Sequence, residues 1–287
     1  MKLSVETLLE RSKLKKSARG WKIFGIVMLV LFLLSISLPK NFTSSGRFQT
    51  SGTVASVTGK NYIARIKIDG IIMEDDYRGK ILKNLAKNKN VKAIILHINS
   101  PGGSAVGGEI LYKQLKELSA KKPIVVSMGT LATSAGYMIA LAGERIYAHK
   151  STITGSIGVI FQSPKFKGLA EKIGVDMHVI KSGDLKAAPN ALEDMEPKVE
   201  EYLKKLILDF YEVFVDIVVQ NRKLSKEQVL KLADGRIYSG RQALSSKLID
   251  SLGGEEQALE WLKSEKNIST EQIWGVSVTE PRNHFEK

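Results

Sequence analysis

Three short apolar runs in the middle of the chain, "YIARIKID" from Tyr62, "VKAIILHIN" from Val91 and "PIVVSMG" from Pro123, set the fold class. Each is followed by apolar residues at helical spacing, near 78–89, over 106–119 and from about 135. Strands separated by helices of this length run parallel and carry their helices on the sheet faces. The pattern predicts an α/β domain that begins near Tyr62, with a mainly parallel, covered sheet. A further strand, "MHVI" over 177–180, is expected after a short helix. Later helices are expected over Pro197–Arg222, 225–233 and 254–264. No internal repeat is present, so the chain is not a solenoid.

Two strand-to-helix junctions have compositions suited to chemistry. In "INSPGGS", Gly102 and Gly103 permit positive φ and close backbone approach, so their N–H groups can face an anion or a carbonyl oxygen; a plain tight turn has the same composition. In "TLATSAG", Ser134 stands among small residues ahead of Ala135, where it reads either as a nucleophile or as a packing or capping serine. Two such turns from neighbouring strands can place a nucleophile beside an oxyanion hole.

A nucleophilic serine needs a base. Of His97, His149, His178 and His284, none lies in an HExxH pattern, and nothing in their spacing marks a Ser-His-Asp triad. A lysine can take the role when burial keeps its amine neutral. Lys186, in "KSGDLKAAPN", is one candidate, but composition does not single it out among so many lysines. The chain has no cysteine, which excludes a thiolate nucleophile, a disulfide framework and a cysteine metal site.

Ile23–Leu38 is uncharged throughout and follows seven basic residues between Lys2 and Lys22. At ~1.5 Å per residue it is slightly short for a hydrocarbon core of ~30 Å, with Trp21 and Lys22 suited to the interface. The preceding segment is long for a signal peptide, so a retained anchor with a cytoplasmic N-terminus is expected, and a cleaved signal peptide is the rival. The expected organisation is a basic segment 1–22, an anchor 23–38, a Ser/Thr/Gly-rich tether 39–61, a folded domain 62–265 and a tail 266–287. Of the net charge of +13, +5 falls before the anchor. The later lysines are interspersed with acids and lack aromatic interleaving, so no nucleic-acid partner is expected.

Five blocks, "INSPGG" at 98–103, "TSAGYMIA" at 133–140, "TITGSIGVI" at 152–160, "KSGDLKAAPN" at 181–190 and "LADGRIYSGRQALSSKLIDSLGG" at 232–254, together resemble bacterial signal peptide peptidase A. That family of membrane-anchored serine proteases belongs to the Clp protease and crotonase superfamily. The resemblance covers most of residues 60–260. It implies a Clp protease/crotonase-like spiral of β-α-β units and an acyl-enzyme reaction without metal or organic cofactor. It makes Ser134 the nucleophile and Lys186 the general base, with Ser156 holding the lysine amine. Gly102 or Gly103 together with Ala135 would supply the oxyanion hole. It further implies residence in the bacterial inner membrane and apolar peptide substrates such as remnant signal peptides. Homo-oligomers are also implied, whose sites join a serine from one subunit to a lysine from its neighbour. The apolar stripe Leu203, Leu206, Phe210 and Phe214 then serves either that contact or the domain's own core.

Two departures from the family pattern bear on substrate preference: Tyr137-Met138 replaces an aromatic pair, and Ala187-Ala188-Pro189 replaces a more polar step. Three other readings stand beside this one: a related stomatin-processing protease, a crotonase-like acyl-CoA enzyme and an inactive scaffold.

Overall fold

The computed structural model describes residues 60–269 and 272–278. The expected basic segment and anchor, nearly all of the tether, and His284 lie outside them. Among the described residues, no helix is long and apolar enough to cross a membrane.

The chain alternates β1 (Tyr62–Ile72), α1 (Asp76–Lys87), β2 (Val91–Gly103), α2 (Ala105–Ser119), β3 (Ile124–Thr133) and α3 (Ala135–Ala140). Short elements follow: β4 (Arg145–Ala148), β5 (Ile153–Gly155) and α4 (Lys167–Lys172). The long α5 (Pro197–Asn221) leads to α6 (Lys226–Leu232), β6 (Ile237–Ser239), α7 (Gly240–Ser245), β7 (Ser251–Leu252), α8 (Glu255–Lys266) and β8 (Ile273–Val276). The sheet order is β6-β5-β3-β2-β1-β8, with β4 bridging β3 and β7. Every pairing is parallel except β5 with β6. The α/β architecture with a mainly parallel sheet is therefore as the sequence predicts.

The uninterrupted apolar run of β2 has a physical cause. Ile94 and Leu96 face a core built with α1, α2, α3 and α5, whereas Ile95 faces a second core, where Ala258 and Leu262 of α8 pack on Ile63, Val125 and Tyr147. A strand buried on both faces has no polar side to alternate with. Helix starts are fixed locally. Asp75 accepts from the Arg78 N–H, Ser104 accepts from the Gly107 N–H, and α6 and α7 each begin with a reciprocal Ser/Gln capping box.

Two expectations are corrected. Residues 177–180 form no strand: Met177, Val179 and Ile180 are exposed and no neighbouring strand pairs with them, so apolar alternation lacks the ladder that would fix it. The expected tail is not all tail, because β8 pairs with β1 from Ile63 to Ile66. The apolar stripe of α5 is split: Leu203 and Phe214 are buried, while Leu206 and Phe210 remain exposed.

Candidate active site

β3 gives way to α3 at Ser134, whose backbone takes φ 53° and ψ −123°. Such a conformation costs a non-glycine residue roughly 1–3 kcal/mol and persists only where its surroundings impose it. The surroundings here are specific. The Ser134 N–H donates to the Gly155 carbonyl at 2.8 Å, and its own carbonyl accepts from the Met138 N–H at 2.9 Å. The Ser134 side chain makes no capping bond to α3, so the capping explanation for this serine fails, and the residue lines a cleft.

The glycine turn lies against it. A Cβ on Gly102, where φ is +120°, would fall 2.8 Å from Ser134 Cβ and 3.2 Å from Ser134 Oγ. On Gly103 it would fall 1.7 Å from the Ile72 carbonyl oxygen. Neither position accepts a side chain, and for Gly102 the reason is proximity to Ser134 itself. The Gly102 N–H is engaged within its own turn, donating to Ser100 Oγ at 3.1 Å. Gly103 and Ala135 line the cleft with Ser134, and Gly102 does not.

Buried hydroxyls absent from the sequence expectations tie the two junctions to each other and to β5. Thr133 Oγ1 donates to the Pro101 carbonyl at 2.9 Å, and Thr154 Oγ1 donates to the Ala132 carbonyl at 2.7 Å. Ser100, Thr133 and Thr154 are all buried. The only signal for them in the sequence is a hydroxyl residue within an otherwise apolar run, a signal shared by many structural threonines.

The cleft has a volume of about 810 Å³. Ser134, Ala135 and Met138 line it together with apolar side chains from Ile207 to Phe214 of α5. Two carboxylates reach it, each already paired: Glu109 with Lys113 at 2.5 Å and Asp234 with Arg236 at 2.5 Å. Ser156 also lines the cleft. It has φ 51° and is held by its N–H donating to the Arg236 carbonyl at 2.9 Å.

Lys186 is elsewhere. It is exposed in the connection between α4 and α5, its N–H donating to the Gly183 carbonyl at 3.0 Å, and it is not among the cleft-lining residues. None of the described histidines lines the cleft either. His149 and His178 are exposed. His97 belongs to the opposite face of the sheet, with Nδ1 2.9 Å from Glu255 Oε1. Arg65 grips the same carboxylate with bonds of 2.7 and 2.6 Å. These two partners, led by His97, hold the Glu255 carboxyl down to about 2 against the opposing effect of burial. The set pins the start of α8 to β1 and β2.

The family model of peptidase family S49 matches residues 116–269. A Methanocaldococcus jannaschii protein named as a protease is 34% identical over 275 residues, covering 91% of this chain and 88% of that relative. An Enterococcus faecium protein named as a signal peptide peptidase, SppA, is 35% identical over 189 residues, covering 66% of this chain and 55% of its own. Among solved structures, a point mutant of ClpP1 from Listeria monocytogenes gives a TM-score of 0.47 at 19% identity, covering 68% of this chain and 94% of that one. The chain belongs to peptidase family S49, as a peptidase of the SppA type.

Proposed function

We propose that the protein is a membrane-anchored serine endopeptidase that cleaves apolar peptides with Ser134 as nucleophile and Lys186 as general base. The observation that carries this reading is Ser134 itself: a strained, non-capping serine that lines a largely apolar cleft and abuts the Gly102 turn. The β-α-β succession, with the cleft at the C-terminal ends of the strands, fits the spiral of the Clp protease and crotonase superfamily.

In the first half-reaction the Lys186 amine takes the Ser134 hydroxyl proton as Oγ attacks the scissile carbonyl carbon. The C–N bond breaks, and the ammonium returns its proton to the leaving amine. Water, deprotonated by the same amine, then opens the acyl-enzyme ester to give the acid and free Ser134. The N–H groups of Gly103 and Ala135 stabilise the oxyanion; Gly102, whose N–H is held by Ser100 Oγ, shapes the turn instead of donating. Ser156 orients the lysine amine.

Because Lys186 stands outside the cleft of its own chain, the dyad forms between copies, with Lys186 of one subunit reaching Ser134 of the next in a homo-oligomer. The exposed apolar side chains between Ile160 and Met195 and along α5 supply the contact. Residues 23–38 anchor the assembly in the cell membrane, with the N-terminus cytoplasmic and the catalytic domain outside. Remnant signal peptides suit the apolar cleft. The test is hydrolysis of an internally quenched apolar peptide by the full chain in detergent, compared with Ser134→Ala and Lys186→Ala. Both substitutions are expected to abolish cleavage without dissociating the oligomer, and survival of activity in either one rejects the dyad.

A further inference from the structure

Parallel strands begin at one edge of a sheet and end at the other, so the residues that precede β1, β2 and β3 share an edge opposite the cleft. Three hydrogen bonds tie that edge together: Tyr62 N–H to the Asn90 carbonyl at 2.8 Å, Ile94 N–H to the Pro123 carbonyl at 2.9 Å, and Lys122 Nζ to the Asn88 carbonyl at 3.0 Å. Six lysines stand on it, Lys60, Lys87, Lys89, Lys92, Lys121 and Lys122. All but Lys122 are exposed, and none of the six forms an ion pair among the described residues. Elsewhere lysines of both kinds occur, and Lys67, Lys113, Lys165, Lys181, Lys198 and Lys226 each hold a carboxylate; what sets this edge apart is six unpaired lysines together.

The crowding is felt locally. Lys122 is pushed below the usual lysine range by partial burial and then by the charge of Lys92. Carboxylates offset the edge only in part. Glu117 shares a small hollow with Lys87 and Lys121, and Glu144 is already taken by Lys266. A concentration of like charge with no internal partner is an electrostatic cost to the isolated domain, and an external anionic surface removes it.

We propose that this lysine edge docks on anionic phospholipid headgroups. Lipid is favoured over a soluble polyanion by where the chain enters: it joins the domain at Lys60, on this same edge, 22 positions after the uncharged stretch 23–38. The proposal rests on the anchor reading for that direction of approach and is independent of the Ser134 chemistry. Docking in this way leaves the cleft, at the far ends of strands about 10 residues long, roughly 30 Å from the headgroups and open to the aqueous side.

The test uses the full chain reconstituted into vesicles of phosphatidylcholine alone or with roughly one-third phosphatidylglycerol. Floated protein is treated with an amine-acetylating reagent, and the modification rate of each lysine is read by mass spectrometry, with Lys150 at the opposite edge as the internal reference. The edge lysines are expected to react severalfold more slowly in anionic than in neutral vesicles at about 0.15 M salt, with the difference lost near 1 M, where the screening length falls from about 8 to about 3 Å. Lys150 reacts equally in both. Equal rates at the edge in the two compositions overturn the proposal. So does protection by inorganic polyphosphate on neutral vesicles without protection by phosphatidylglycerol, which assigns the edge to a soluble polyanion. Flotation with neutral vesicles reports on the anchor separately: a chain that fails to float there, yet is protected at its edge by anionic vesicles, keeps the lysine surface and loses the anchor.

Discussion

Thr133 Oγ1 donates to the Pro101 carbonyl across 2.9 Å, joining the residue before Ser134 to the residue before Gly102. Ser134 and the turn that faces it are therefore tied together by one side chain from the strand that leads into Ser134. Thr133→Val keeps the shape and deletes the bond. Loss of about 1–3 kcal/mol of stability is expected from the unsatisfied carbonyl. A fall in kcat of about tenfold to a hundredfold at nearly constant KM should accompany it, because geometry matters most in the transition state. Thr133→Ser restores the hydroxyl and most of kcat; steady-state kinetics on the three proteins checks this.

Gly102→Ala places a methyl 2.8 Å from Ser134 Cβ at a φ of +120°. If Ser134 is the nucleophile, its displacement lowers kcat by about a hundredfold or more. Gly168→Ala, with nothing within 4 Å and an ordinary φ, is the control, with stability unchanged or raised by up to about 1 kcal/mol. Denaturant melts and peptide hydrolysis on both variants separate strain from simple loss of a glycine.

Tyr137 is fully buried three residues beyond Ser134, and its hydroxyl donates to the Leu248 carbonyl at 2.8 Å. Tyr137→Phe strands that carbonyl and is expected to cost about 1–3 kcal/mol by urea unfolding. Since the ring's packing is unchanged, activity per folded molecule stays within about twofold.

Acid stability depends on Glu255. Its carboxyl is lowered from 4.5 to about 2 in the folded protein, so the stabilisation is fully present above 4.5 and is lost as pH falls through about 2. Glu255→Gln should therefore melt below the parent at pH 6, and the gap in melting temperature should close as pH falls from 4.5 toward 2. A gap independent of pH contradicts the assignment.

The three long strands were readable because burial on both faces leaves an unbroken apolar run, as at Ile94, Ile95 and Leu96. The two junctions were readable because only small residues fit where Gly102 meets Ser134. β4 to β8 were not, since strands of two to four residues are specified by partners distant in sequence, as when β8 pairs with β1. The reverse error, a strand over 177–180, arose because local alternation resembles a strand whether or not an edge is there to receive it. Ser100, Thr133 and Thr154 escaped notice because a hydroxyl's value lies in the carbonyl it reaches, and spacing does not disclose that carbonyl.

In the proposed dyad, Lys186 of one copy activates Ser134 of another. Coexpression of Ser134→Ala with Lys186→Ala, followed by purification of the mixed oligomer, tests it most directly. Each variant alone should leave the quenched peptide uncleaved, while the mixed assembly regains hydrolysis, because some neighbouring pairs then combine an intact serine with an intact lysine. A mixed assembly as inert as its parents, or full activity in either single variant, contradicts the account.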